Sequence, residues 1–221
     1  MIRYALLVVG LTLAGCALAV AGAPRKPARK PAPPPLRAPT EREIAAAKKA
    51  GKVMVELDTD RGKMTLELDG KAAPAAVANF LNLVKAGFYN GMPFHRVEPG
   101  FVIQAGDPAL VGRPPVGYTI PDEKSPIKHK RGVIAMARLY KGGQMLPNSA
   151  STQFYVCLGD APHLDAMGFT AFGKVTKGIE VIDQVRVGDK IRKARLLARG
   201  PVRAQPRRAA ADRRGDGGAR R

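Results

Sequence analysis

Three histidines and two cysteines are the scarce reactive residues through which this 221-residue sequence could carry chemistry. His95 with Asp107 makes no paired acid–base system, and His129 and His163 stand far apart, so no metal site is expected. Cys16 and Cys157 can build neither a disulfide framework nor a zinc site. Cys157, inside an apolar run, reads as a buried and inert thiol. What remains is 37 Lys/Arg and 18 Asp/Glu, among which composition singles out no site. An arginine taken alone is most often a solvated surface cation. Residue types by themselves name no reaction.

The elements that must hold these residues are mostly strands. Val53, Val55 and Leu57 alternate with polar residues, as do Met64, Leu66 and Leu68, with Thr59-Asp60-Arg61-Gly62 as the turn between them. The period then changes. Pro74 stands at a helix start, Val77, Phe80, Leu81 and Val84 share one face, and Gly87 ends the segment. Short apolar strands are predicted over 100–105, 132–137, 153–158, 169–175 and about 190–197. A second helix is predicted over 178–185, and a short one over 41–49. Many short strands with few helices point to a closed β-barrel whose open ends are covered by helices.

The ends have another character. Met-Ile-Arg followed by an apolar run from Tyr4 to Val20 reads as an export signal. Leu13-Ala14-Gly15-Cys16 resembles the bacterial lipobox, which makes Cys16 the expected lipidation site. Ala17-Leu18-Ala19 and Ala19-Val20-Ala21 also fit small-residue cleavage sites that would release a soluble protein, and an uncleaved anchor is a third reading. Residues 23–51 form a basic, proline-rich linker ending in the short helix, an extended spacer with no core of its own. Residues 199–221, rich in Arg, Ala and Gly, have almost nothing to bury and are expected to be disordered. Much of the +19 formal charge sits in these ends: residues 23–52 hold nine Lys/Arg against two Glu, and residues 201–221 seven Arg against two Asp. Basic tails on a mildly basic domain do not make a nucleic-acid-binding core.

Between the ends, the order of residues resembles the cyclophilin family. Phe94-His95-Arg96-Val97 and the run from Pro99 through Gly106-Asp107 are similar to that family's central signature. Met136-Ala137, Gln153-Phe154-Tyr155 and Phe172-Gly173-Lys174-Val175 follow in family order, over about residues 52–198. The resemblance implies a mostly β fold, an eight-stranded antiparallel barrel capped by two α-helices, and peptidyl-prolyl cis–trans isomerase activity. It implies Arg96 as the catalytic cation with Gln104 beside it. Phe101, Val102, Leu164 and Phe169 would line a proline pocket with Tyr155 at its floor, while Gln153, Ala137 and His163 complete the substrate groove. His95 would be structural support.

Rotation about an X–Pro bond is opposed by amide resonance, with a barrier of about 20 kcal/mol. In the twisted transition state the proline nitrogen regains a basic lone pair. A fixed cation that donates to it stabilises the twisted form more than either planar one. Such a bond is worth about 1.5–3 kcal/mol, one to two decades of rate. A dry pocket adds to this, because the planar amide is the more charge-separated form. No proton is transferred and no cofactor is implied.

The expected partners are proline-containing segments of unfolded or exported proteins and, through the N-terminal lipid, a membrane. A monomer without specific nucleic-acid binding is expected, facing the periplasm from the bacterial cell envelope. Departures from the family pattern fall at His163, Arg138 and Phe169, where many members carry tryptophan, asparagine and histidine, and residues 139–147 read as a variable loop. These bear on substrate preference. Of two rival readings, a non-catalytic binder of proline segments would need the pocket but not the Arg96 guanidinium, and an envelope structural protein would explain the tails but not the middle of the chain.

Overall fold

The computed structural model describes residues 36–197. The export signal, Cys16, most of the proline-rich linker and the basic tail lie outside the described residues. Strand β1 (Lys52–Thr59) and strand β2 (Gly62–Asp69) form the predicted hairpin, with Val55 opposite Leu66 and Leu57 opposite Met64. All four side chains are buried, since alternate residues of a strand face the same side. Strands β3 (Met92–Glu98), β4 (Val102–Ala105) and β5 (Val133–Met136) follow. A small ribbon of β6 (Tyr140–Lys141) and β7 (Gln144–Met145) stands apart from the sheet. Strands β8 (Phe154–Cys157), β9 (Ala171–Lys177) and β10 (Lys190–Leu196) complete the set. Eight strands close into an antiparallel barrel in the order β1-β10-β3-β4-β8-β5-β9-β2.

Of the eight barrel strands, β3 is the one that the sequence did not signal, and a bulge interrupts its pattern. Phe94 pairs with Ala105 and Arg96 with Gln104, so two steps on β3 answer one on β4.

Helix α1 (Glu41–Ala50) packs against α2 (Pro74–Lys85). Helix α2 is the main cap: Phe80 reaches the barrel interior, where it meets Phe154 edge-on at 5.3 Å. The predicted second cap is shorter than expected, a single turn of α4 (Val181–Gln184). Gly178, at φ 71°, leaves no room for a Cβ beside the Lys63 carbonyl, and Val185 has already returned to extended backbone. One further turn, α3 (Pro162–Ala166), and a 3-10 turn over Pro108–Val111 lie between strands.

Strands β5 and β8 are buried at every position because both of their faces are covered. Ile134, Met136, Phe154 and Val156 point into the barrel. Val133, Ala135, Tyr155 and Cys157 point outward into a second, smaller core with Leu164 and Phe169. That outer core floors the site.

Candidate active site

The bulge in β3 aims Arg96. Under strict alternation Phe94 and Arg96 would share a face; instead Phe94 is fully buried in the barrel and Arg96 turns outward beside Gln104. Its guanidinium Nη1 donates to Gln104 Oε1 at 3.1 Å, and Nε donates to Glu98 Oε1 at 2.8 Å, where Nη2 also lies within 2.8 Å. Gln104 Nε2 in turn donates to Gln153 Oε1 at 2.8 Å. The Phe101 ring lies 5.6 Å from the guanidinium carbon and stacks on His163 with centroids 5.4 Å apart. Two donors are therefore hydrogen-bonded and Nη2 lies in ion-pair contact, which restrains the group. A guanidinium has five N–H bonds, so one on each Nη stays available to a ligand.

Beside the guanidinium opens a cleft of about 530 Å³. Arg96, Phe101, Val102, Gln104, Ala137, Tyr155, His163, Leu164 and Phe169 all line it, so nine of the ten expected site residues in the described chain meet there. The tenth, Gln153, lines a neighbouring cavity of about 580 Å³ and reaches the cleft through Gln104. Cys16 is outside the described residues.

Several residues that sequence reasoning did not place complete the arrangement. Glu98 holds Arg96 from the far side. His129, whose side chain is 1% exposed, lies under Tyr155: Nε2 is 2.9 Å from the Tyr155 hydroxyl and Nδ1 is 2.7 Å from Asp165 Oδ1. A carboxylate only accepts, so Nδ1 carries the proton and, in the neutral ring, Nε2 accepts from Tyr155. Burial pulls the Asp165 carboxyl up, but the hydrogen bonds from His129 outweigh it and hold the group below its ordinary value. Burial pushes the Tyr155 hydroxyl well above the phenol range, so it stays neutral. No sequence signal links these three, because the contacts span 26 and 36 residues.

Arg138 divides the two cavities and lines both. It lies over the Phe169 ring at 4.7 Å, donates to Asp122 Oδ1 at 3.0 Å, and donates to the carbonyls of Met167 and Gly168. His95 is half-buried, and its Nδ1 has no hydrogen-bond partner. Cys157 is buried, and burial pushes its thiol up to about 12. Among the described residues no group of three or more His, Cys, Asp or Glu could hold a metal ion.

Such a site can hold an extended peptide against a fixed cation, with an apolar recess beside it. The hydroxyl that it sets against a base, that of Tyr155 on His129, is buried beneath the floor of the cleft and stays neutral. Comparison with known proteins points to one family. The family model for cyclophilin type peptidyl-prolyl cis-trans isomerases matches residues 54–204. A peptidyl-prolyl cis-trans isomerase of Helicobacter pylori is 42% identical over 153 residues, covering 67% of this chain and 90% of that protein. Peptidyl-prolyl cis-trans isomerase B of Bacillus subtilis is 40% identical over 139 residues, 62% of this chain and 92% of its own length. A crystal structure of a cyclophilin type isomerase from Cryptosporidium parvum superposes with a TM-score of 0.59 at 28% identity, covering 67% of this chain and 99% of that one. A further structure of that protein, determined in the presence of the dipeptide Ala-Pro, has a TM-score of 0.57 at 28% identity and covers 66% of this chain and 99% of its own.

Proposed function

The chain belongs to the cyclophilin type peptidyl-prolyl cis-trans isomerases, and from that premise we propose that it turns X–Pro bonds in exported polypeptides by donating from Arg96 to the prolyl nitrogen. The observation that carries this reading is the guanidinium fixed by Gln104 and Glu98 at the mouth of an apolar cleft. A proline ring seated on Phe101, Leu164 and Phe169, above the Tyr155 floor, brings its nitrogen toward the free Nη–H bonds. Twisting the amide raises the basicity of that nitrogen, so the hydrogen bond strengthens as the barrier is climbed and contributes to rate rather than only to binding. Gln104 and Gln153 hold the adjoining carbonyls and keep the peptide in register. The second contribution is the recess itself, whose low polarity disfavours the charge-separated planar amide.

The enzyme's place, in this reading, is the bacterial cell envelope, facing the periplasm as a monomer and tied to lipid through Cys16. The apolar run ending in Leu13-Ala14-Gly15-Cys16 supports it, and the proline-rich segment behind serves as a spacer. The clients are proline-containing segments of proteins that fold after export. A protease-coupled assay on a short X–Pro peptide tests the chemistry. The chain should accelerate the slow cis-to-trans phase in proportion to its concentration; a phase unaltered at micromolar protein overturns the proposal.

A further inference from the structure

The ribbon beside the cleft is amphipathic in an unusual direction. Tyr140 and Met145 oppose each other across β6 and β7, which puts both side chains on one face; Lys141 and Gln144, the next pair, take the other. Tyr140 and Met145 line the Arg96 cleft, so the apolar face is turned toward the site. Neither belongs to either core: Tyr140 is 67% exposed and Met145 37%. Met167, 48% exposed, adds to the lining of the same cleft, and Leu139, 54% exposed, lines the adjoining cavity. Three of the nine large apolar side chains exposed on the described surface thus line the cleft, with a fourth at the cavity beside it.

These banks are held in place. The Leu139 N–H donates to Ser149 Oγ, Ser149 Oγ donates to the Leu146 carbonyl, and the Leu146 N–H donates to the Leu139 carbonyl, closing the ribbon at its base. Asn148 and Asp122 exchange two hydrogen bonds of 2.8 Å. The same Asp122 accepts from Arg138, which also holds the Met167 carbonyl. One guanidinium therefore ties the ribbon's base to the Met167 bank.

We infer that Tyr140, Met145 and Met167 form a specificity-determining lip, which selects X–Pro segments whose neighbouring residues are aliphatic or aromatic. This rests on the isomerase reading above and names the substrate class for that site. The lip is continuous with the cleft, so its occupant is the same client chain just outside the X–Pro pair. Thioether side chains adapt to varied apolar partners, and the tyrosine ring supplies a flat apolar face. Sequences of that kind are mostly buried in finished proteins and more exposed in unfolded ones, which directs the enzyme to clients still folding.

The test uses the full chain and two peptides identical except for Leu or Ser on either side of the X–Pro pair. Cis–trans exchange is followed by NMR, with affinity from peptide shift titrations. The wild type should favour the Leu peptide in kcat/KM by about tenfold. Tyr140→Ser/Met145→Ser should lose that ratio, and Tyr140→Phe/Met145→Leu should keep it. Because the readout is a ratio between peptides, a general loss of activity cancels. Equal kcat/KM on both peptides, or a preference that survives in the double serine variant, overturns the lip and leaves the isomerase intact. Tighter binding of the Leu peptide that depends on Tyr140 and Met145, without acceleration of either peptide, sustains the lip and overturns the isomerase reading.

Discussion

Arg96 shows how little of a residue's role lies in its type. A partly exposed arginine pairing with a carboxylate two residues away would ordinarily contribute little. Here the pairing with Glu98 and Gln104 removes its freedom and leaves donors pointing over an apolar recess. Arg96→Ala should lower kcat/KM on an X–Pro peptide at least about tenfold, since one charge-assisted hydrogen bond is lost. Its unfolding midpoint should stay near that of the wild type; near-normal turnover would remove Arg96 from the chemistry. Tyr155 is a contrasting case, a floor residue whose hydroxyl serves the interior. Tyr155→Phe keeps the apolar ring but leaves His129 Nε2 buried without its donor. A loss of about 1 kcal/mol in a urea titration is expected, and an unchanged midpoint would mean that water takes the place of the hydroxyl.

At the scale of elements, the site depends on β4 and β8 approaching closely just before Gln153. Gly106, at φ 103°, lies where an added Cβ would stand 2.4 Å from the Thr152 carbonyl oxygen and 2.9 Å from the Gln153 Cα. Gly106→Ala should destabilise the protein by about 2 kcal/mol through strain and crowding. It should also weaken peptide binding, because Gln153 and its bond to Gln104 must shift. A variant with wild-type stability and KM would show that the backbone relaxes freely there.

Helix α1 has a separate dependence on pH. Thr40 and Glu43 form a reciprocal cap at its start. The side-chain hydrogen bond from Arg37, with the Thr40 backbone N–H next, holds the Glu43 carboxyl down at about 2, against an ordinary 4.5. A depressed carboxyl stabilises the folded state above its unfolded pKa, and that contribution is lost as pH falls from about 4.5 toward 2. Melting curves of the wild type should therefore fall more steeply over that interval than those of Glu43→Gln. Parallel curves would show that the cap does not contribute to global stability.

For the whole molecule, closing the barrel decides where the catalytic face can be. Barrel closure leaves no sheet edge free among its eight strands, so a peptide cannot bind by adding a strand to that sheet. It must lie against an outer face, and the outer face of β4, β8 and β5 carries the second core. If Cys16 carries lipid, the wild type should sediment with membranes, and Cys16→Ser should accumulate in an unprocessed form. An intact mass corresponding to a free N-terminus at Val20 or Gly22 would establish a soluble protein instead. A single acyl chain anchors only weakly, so the expected form carries more than one.

How much of this could be read beforehand follows from the range of each interaction. The β1–β2 hairpin and helix α2 were legible because burial imprints a period of two or 3.6 on neighbouring residues, as with Val55 and Leu57 or Val77, Phe80 and Val84. The site residues were legible only as a family pattern, since nothing local connects Arg96 with Gln153 or Phe169. Tertiary structure alone decided three things. A bulge turned Arg96 away from Phe94's side of the sheet, His129 came to lie under Tyr155, and the loop over 139–147 became a ribbon with its apolar face toward the cleft. Each depends on partners far apart in the chain, whose approach is set by how the strands close. Periodicity records which side of an element is dry, but only closure of the barrel determines what stands on the other side.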